Sequence, residues 1–240
     1  MIMLELTQKK NIMKKISELE FGADFINTGA VSRLCSAGFV LTELETLHGI
    51  PDAVLILKRD VDSLEALHSK FGAVYLTSSH ARIMTSLYEK KFQDLKTIAK
   101  KCGLSASYAR SILKSLVENE LIYSSDNRYR LSDSYGIPKV QIISIEFKLT
   151  DWKKALNQAL RHSSFASKSY VIMPSSKKAV LKKNSSIFKD YGVSVVTYDT
   201  ESKKLDRIVE ARPNRHSKVS YVDSLFKVVN NYDRALVPAS

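Results

Sequence analysis

The sequence predicts an α/β protein, a mixed core of alternating strands and helices with a module of three helices and a hairpin set into it. Short apolar runs of strand length alternate with segments of helical period before residue 80 and again after residue 137. Between them, residues 80–135 hold three helical segments and a hairpin. Charge adds a third observation. Lys and Arg number 37 against 25 Asp and Glu, a formal +12 with a pI near 9.5. A surplus of this size favours a polyanionic partner, because neutralised phosphates release their condensed counterions. A generally basic surface without a nucleic-acid role has the same composition.

Composition excludes several classes. With 44% hydrophobic and 26% charged residues over 240 positions, the chain can bury one large core or two small ones, and nothing in it suggests bulk disorder. Cys35 and Cys102 lie far apart with no CxxC spacing. That argues against a structural zinc or disulfide framework and makes a reducing cytoplasm the expected location. Residues 1–15 lack the apolar core of a signal peptide, and no stretch approaches the ~18 apolar residues of a membrane span. No GxxxxGK[ST], GxGxxG or GxSxG motif occurs, and His48, His68, His80, His162 and His216 have no zinc-ligand spacing.

In chain order, residues 1–19 read as a charged amphipathic helix, and 21–38 as a second helix with an internal loop, closed by Gly38. An apolar run over 39–47 is followed by turn chemistry at His48-Gly49-Ile50-Pro51. Residues 53–58 (AVLILK) predict a buried strand, 61–70 a helix and 73–77 another strand. Past the central module, 140–149 predicts a strand, 151–166 a helix, 169–174 a strand, 178–190 a helix, 192–199 a strand and 221–231 a last helix.

Within the module, two helical segments meet at Lys101-Cys102-Gly103-Leu104-Ser105, a short glycine turn of the helix-turn-helix kind. Ser105 is placed to cap the following helix. Ile98, Leu104, Ile112 and Leu116 fall on the core face, which leaves Ser107, Tyr108, Arg110, Ser111 and Lys114 for the outer face. These residue types reach phosphates and base edges. Arg128 and Arg130 would sit in a hairpin with Asp126-Asn127 at its tip. Over its whole length the stretch resembles winged helix DNA-binding domains, which implies DNA as the partner. A three-helix module used for protein contacts has the same pattern.

The run 140–149 alternates Ile143, Ile145, Phe147 and Leu149 with Ser144, Glu146 and Lys148. Glu146 and Lys148 therefore share one face of an otherwise apolar strand, where they need each other, a metal or solvent. Asp52 leads into the strand at 53–58 and can meet Glu146 if the two strands pair. Two carboxylates and a carbonyl make an oxygen-rich site suited to Mg²⁺. Pro51-Asp52 and Glu146-Phe147-Lys148 resemble the motif of the PD-(D/E)xK nuclease superfamily, over roughly 35–65 and 139–200. The resemblance implies a restriction-endonuclease-like mixed-sheet core formed by residues 1–79 and 137–240, with the winged helix of 80–136 inserted. It also implies a metal-dependent deoxyribonuclease in which Asp52 and Glu146 hold Mg²⁺, Lys148 assists the nucleophile and Gln158 stands as an accessory residue. The wide separation of the two acids departs from the usual spacing, and Glu43 or Glu45 is the fallback acid. His162, one helical turn after Gln158, could line the same site, and reads first as a surface residue. Three expectations are carried forward: a Mg²⁺-dependent endonuclease, a homodimer through a terminal helix, and, as the alternative, a non-enzymatic DNA-binding regulator on a degenerate scaffold. In the last, Glu146–Lys148 is a structural salt bridge and Asp52 a cap.

Overall fold

A computed structural model describes residues 16–71, 75–89, 91–132 and 139–237. Most of the helix expected over 1–19 lies outside them. Ser17 opens the described chain as a helix cap. Its hydroxyl accepts the Glu20 N–H at 3.1 Å while the Glu20 carboxylate accepts the Ser17 N–H at 2.8 Å, a reciprocal capping box. Helix α1 (Glu18–Asn27) buries Phe21, Phe25 and Ile26, and a short α2 (Ala30–Leu34) follows. Gly38 does not close a helix. It lies inside β1 (Ala37–Thr42), where an added Cβ would come within 2.9 Å of the Lys58 backbone and still nearer the Val61 side chain. Glycine is needed there for close approach rather than as a stop.

Strand β2 (Ala53–Leu57) runs antiparallel to β1, with Val40 opposite Leu55, and leads into α3 (Val61–Phe71). The strand expected over 73–77 is absent from its described part. The Leu76 N–H and C=O are both taken by the Asn230 side chain, at 3.2 and 2.7 Å, so no strand partner is needed. Helix α4 (Ser78–Ser86) then begins the central module, which continues with β3 (Gln93–Asp94), α5 (Leu95–Cys102), α6 (Ala106–Glu118), β4 (Ile122–Ser125) and β5 (Arg128–Leu131). Its three strands form a separate small sheet in the order β3-β5-β4.

The chain returns as β6 (Ile142–Phe147), then α7 (Trp152–His162) and β7 (Lys168–Pro174). The helix expected over 178–190 is two helices, α8 (Lys178–Lys183) and α9 (Ser185–Asp190). The break is at Asn184, whose side-chain amide donates back to the Val180 carbonyl at 2.8 Å. Strand β8 (Val193–Tyr198) pairs with β9 (Leu205–Val209), and α10 (Lys218–Asn230) closes the fold. The sequence reading missed β9, a half-exposed edge strand without a clean alternation.

The large sheet is mixed, in the order β1-β2-β6-β7-β8-β9. Its β6–β7 and β7–β8 pairs are parallel and the others antiparallel. One face is covered by α1 and α2, through a ring cluster of Phe21, Phe25, Phe147 and Tyr198. The other is covered by α7, α8 and α9 over β7 and β8, and by α3 and α10 toward β1 and β2. With both faces covered, all six residues of β6 are buried. The apolar cluster under α3 and α10 runs without a gap from Phe39 and Leu41, through Leu225 and Phe226, to Ile98, Leu113 and Leu116 of the central module. Helix α10 packs on α4, which joins the module to the sheet.

Candidate nucleic-acid interface

The helix-turn-helix unit is assembled from local signals. Asp94 caps α5: its carboxylate accepts the Thr97 backbone N–H and hydroxyl, both at 2.8 Å, and these donors hold it below the usual carboxylate range. Gly103 ends α5 in the left-handed region at φ 65°, a conformation that costs glycine nothing. Ser105 then caps α6 by accepting the Tyr108 N–H at 3.2 Å. The 3.6-residue period does the rest. Ala109, Ile112, Leu113 and Leu116 are buried, and Ser107, Tyr108, Arg110, Ser111 and Lys114 are exposed, so the expected outer face of α6 is outward-facing. Among the described residues Lys114 pairs with Glu118, at 3.7 Å in a solvent-exposed i,i+4 pair, too weak to tie it down.

In the hairpin, Asp126 and Asn127 both have positive φ, at 50° and 57°, the geometry of a tight two-residue turn. Arg128 is exposed. Arg130 is half-buried, with its guanidinium 5.3 Å from the Phe92 ring centroid and 5.4 Å from that of Tyr123. Stacking between two aromatic faces holds its charge at the base of the wing. Phe92 and Tyr123 were not singled out from the sequence, although aromatics flanking a basic hairpin are the available signal.

The acidic group at the sheet edge is arranged otherwise. Strands β2 and β6 do pair, and the Asp52 carboxylate accepts the Phe147 N–H at 2.7 Å, so Asp52 and Glu146 converge. Burial first, and then the Glu146 carboxylate, push Asp52 above its ordinary range. Asp52 faces a cavity of about 390 Å³ that Glu18, Glu43 and Phe147 also line and Glu146 does not. Glu146 is 0% exposed. Its Oε1 lies 3.1 Å from Nδ1 of His162, and among the described residues neither Glu146 oxygen has a hydrogen-bond partner. The surface reading of His162 is therefore corrected, and its ring lies beside Glu146 instead. Ala155, Ala159 and His162 recur at helical spacing on the buried stripe of α7, and this period was readable in the sequence.

Lys148 donates to Glu18 at 2.9 Å and to the Phe147 carbonyl at 3.0 Å, in place of the expected Glu146–Lys148 bridge. Burial works to lower its pKa, but the Glu18 hydrogen bond and the Asp52 charge outweigh that and raise it. Gln158 borders a groove on the outer side of α7 with Asp151, Lys153, Lys154, Asn157 and Arg161, and makes no hydrogen bond to either carboxylate. This arrangement fits Mg²⁺ poorly. One Asp52 oxygen is given to the backbone, Glu146 faces an imidazole, and among the described residues no group of three or more His, Cys, Asp or Glu is placed to hold a metal ion.

Residues 76–128 match the model of the MarR family. The match falls on α4 through the hairpin turn and supports a winged helix unit. It lends nothing to the PD-(D/E)xK part of the expectation. No curated protein matches the chain. The hydrolase expectation is corrected on this finding: a MarR-type domain points to a non-enzymatic DNA-binding regulator and not to a metal-dependent deoxyribonuclease. Among the described residues no helix is long and apolar enough to cross a membrane.

Proposed function

We propose that this protein is a DNA-binding transcriptional regulator in which residues 80–136 read duplex DNA and residues 1–79 with 137–240 form the α/β scaffold that carries them. The observation that supports the reading best is the outer face of α6, polar and basic over five exposed positions inside the stretch that matches the MarR family. A helix about 10–12 Å across fits the major groove. In this reading Arg110 reaches a base edge or phosphate, Ser107 and Tyr108 contact backbone near the N-terminus of α6, and Lys114 neutralises a phosphate. Arg128 and Arg130 bring the wing to the adjacent backbone. Two copies acting as a homodimer would set half-sites about one helical turn apart.

The test is fluorescence anisotropy against duplexes enriched from a random pool. Arg110→Ala is expected to cost about 1–3 kcal/mol and relax discrimination at one position, whereas Lys114→Ala weakens all sequences and lowers the salt slope by about 1. Wild-type affinity in both variants rejects α6 as the reading helix. Mg²⁺ has no role in this reading and should bind no better to the wild type than to Glu146→Ala, by isothermal titration. Analytical ultracentrifugation of the complex decides the dimer, since one chain per site rejects it.

A further inference from the structure

The basic surplus is not concentrated where the winged helix would use it. Residues 76–128 hold nine Lys and Arg against five Asp and Glu, whereas residues 151–190 hold nine against two. These latter residues span α7, β7, α8 and α9, whose apolar sides join in one cluster (Ala155, Leu156, Leu181, Phe188) on one face of the large sheet. The Trp152 and Phe188 rings, 5.7 Å apart, link α7 to α9. The cations therefore emerge on the outside of a single helical layer.

Three features separate this array from an ordinary solvated face. First, only part of its charge is paired. Lys168 pairs with Glu210 and Lys178 with Asp206, but Lys154, Arg161, Lys182, Lys183 and Lys189 form no ion pair among the described residues. Second, Lys153 and Lys154 stand in the first turn of α7, where the acid is the Asp151 cap, whose carboxylate accepts the Lys154 N–H at 2.9 Å. That is the positive end of the helix dipole, where a cation destabilises the helix and an anion is favoured. Third, Lys154, Asn157, Gln158 and Arg161 recur at helical spacing along an open groove of about 670 Å³ on the outer side of α7, with Asp151, the helix cap, as the one acid lining it. Like charges gathered on one helical layer repel one another, and a polyanion relieves that repulsion.

We propose that the outer face of α7 and α8 is a second phosphate-binding surface, which takes the sugar-phosphate backbone of the duplex that α6 reads. It makes no base contacts, so it adds affinity and salt dependence without adding sequence preference. The inference rests on the DNA-binding reading above but uses different residues, and this separates their failures.

The experiment compares the full chain with the variant Lys154→Gln/Arg161→Gln/Lys182→Gln/Lys183→Gln, on duplexes of about one and about three helical turns, over a series of salt concentrations. On the long duplex, the variant is expected to lose about 2 to 4 from the slope of log K against log salt, and roughly ten- to hundredfold in affinity near 0.15 M salt. On the short duplex, centred on the α6 site, it should bind within about twofold of wild type. An unchanged long-duplex slope overturns the second surface. So does weakening confined to anionic vesicles or single-stranded RNA. If Arg110→Ala/Lys114→Ala abolishes discrimination while the quadruple variant matches wild type, the regulator reading stands and this surface is rejected. If the quadruple variant alone loses binding, the surface stands and α6 is rejected as the reader. A wild type that binds no duplex rejects both.

Discussion

Helix α6 and strand β6 both carry charge on one face of a regular period, and they deliver it to opposite places. In α6 the period leaves Arg110 and Lys114 in solvent. In β6 it carries Glu146 into an interior sealed by α7. A polar face has a use only where the fold leaves it open, and local period does not report that. The E-x-K alternation predicts Glu146 and Lys148 on one strand face, but β6 ends at Phe147, and the two side chains turn to different helices, Glu146 to His162 of α7 and Lys148 to Glu18 of α1.

The sharpest test of this contrast sets one residue of each element side by side. Phe147 is 3% exposed and meets the rings of Phe21 and Phe25 at 6.0 and 5.5 Å. Phe147→Ala is expected to cost about 3–5 kcal/mol of unfolding free energy in urea. Lys114→Ala should stay within about 0.5 kcal/mol, since it removes only an exposed pair. In DNA affinity the order reverses whenever the protein is folded. A Phe147→Ala loss below about 1.5 kcal/mol would show that β6 is less sealed than its burial states.

A second test asks what holds Glu146. If its partner is the His162 ring, Glu146→Ala strands a buried polar group and should cost about 3 kcal/mol. The double variant Glu146→Leu/His162→Phe should recover most of that, because a well-packed apolar pair replaces a buried polar one at little cost. Additive losses in the double-mutant cycle would show that the two side chains are not coupled.

Much of the architecture was legible because it is local. The α5–α6 turn, the Ser105 cap and the hairpin tip follow from residue types with short-range chemistry, and they lie inside the stretch that matches a known family. Strands β2, β6, β7 and β8 were legible as apolar runs. What stayed hidden depends on contacts between distant segments. The Asn230 side chain occupies the backbone of Leu76 across more than 150 positions, and no property of residues 73–77 foretells it. Arg130 draws its aromatic faces from two strands' surroundings. His162 is the exception: its buried register was present in the spacing of Ala155 and Ala159, and its polarity argued for the surface instead.

Asp52 offers the smallest effect and the finest discrimination, because it lies at the edge between the sealed and open sides of β6. Burial and the Glu146 charge raise its pKa, against the Phe147 N–H and Lys148, which lower it. An acid whose folded-state pKa lies above its unfolded value favours folding while protonated. Its contribution is fully present below the unfolded value and disappears as pH rises through the folded one. At neutral pH the ionised Asp52 is therefore a net cost. Asparagine keeps an oxygen to accept the Phe147 N–H and removes the charge. Asp52→Asn is expected to be more stable than wild type at pH 7 by up to about 1 kcal/mol, a rise in Tm of roughly 2–4 °C for a chain of this size. The advantage should shrink to nothing near pH ~3, where the wild-type carboxyl is protonated in both states. A variant less stable than wild type at pH 7 would mean that Lys148 and the backbone donor outweigh Glu146 and burial. Asp52 would then belong with the satisfied charges of the surface and not with the sealed interior of β6.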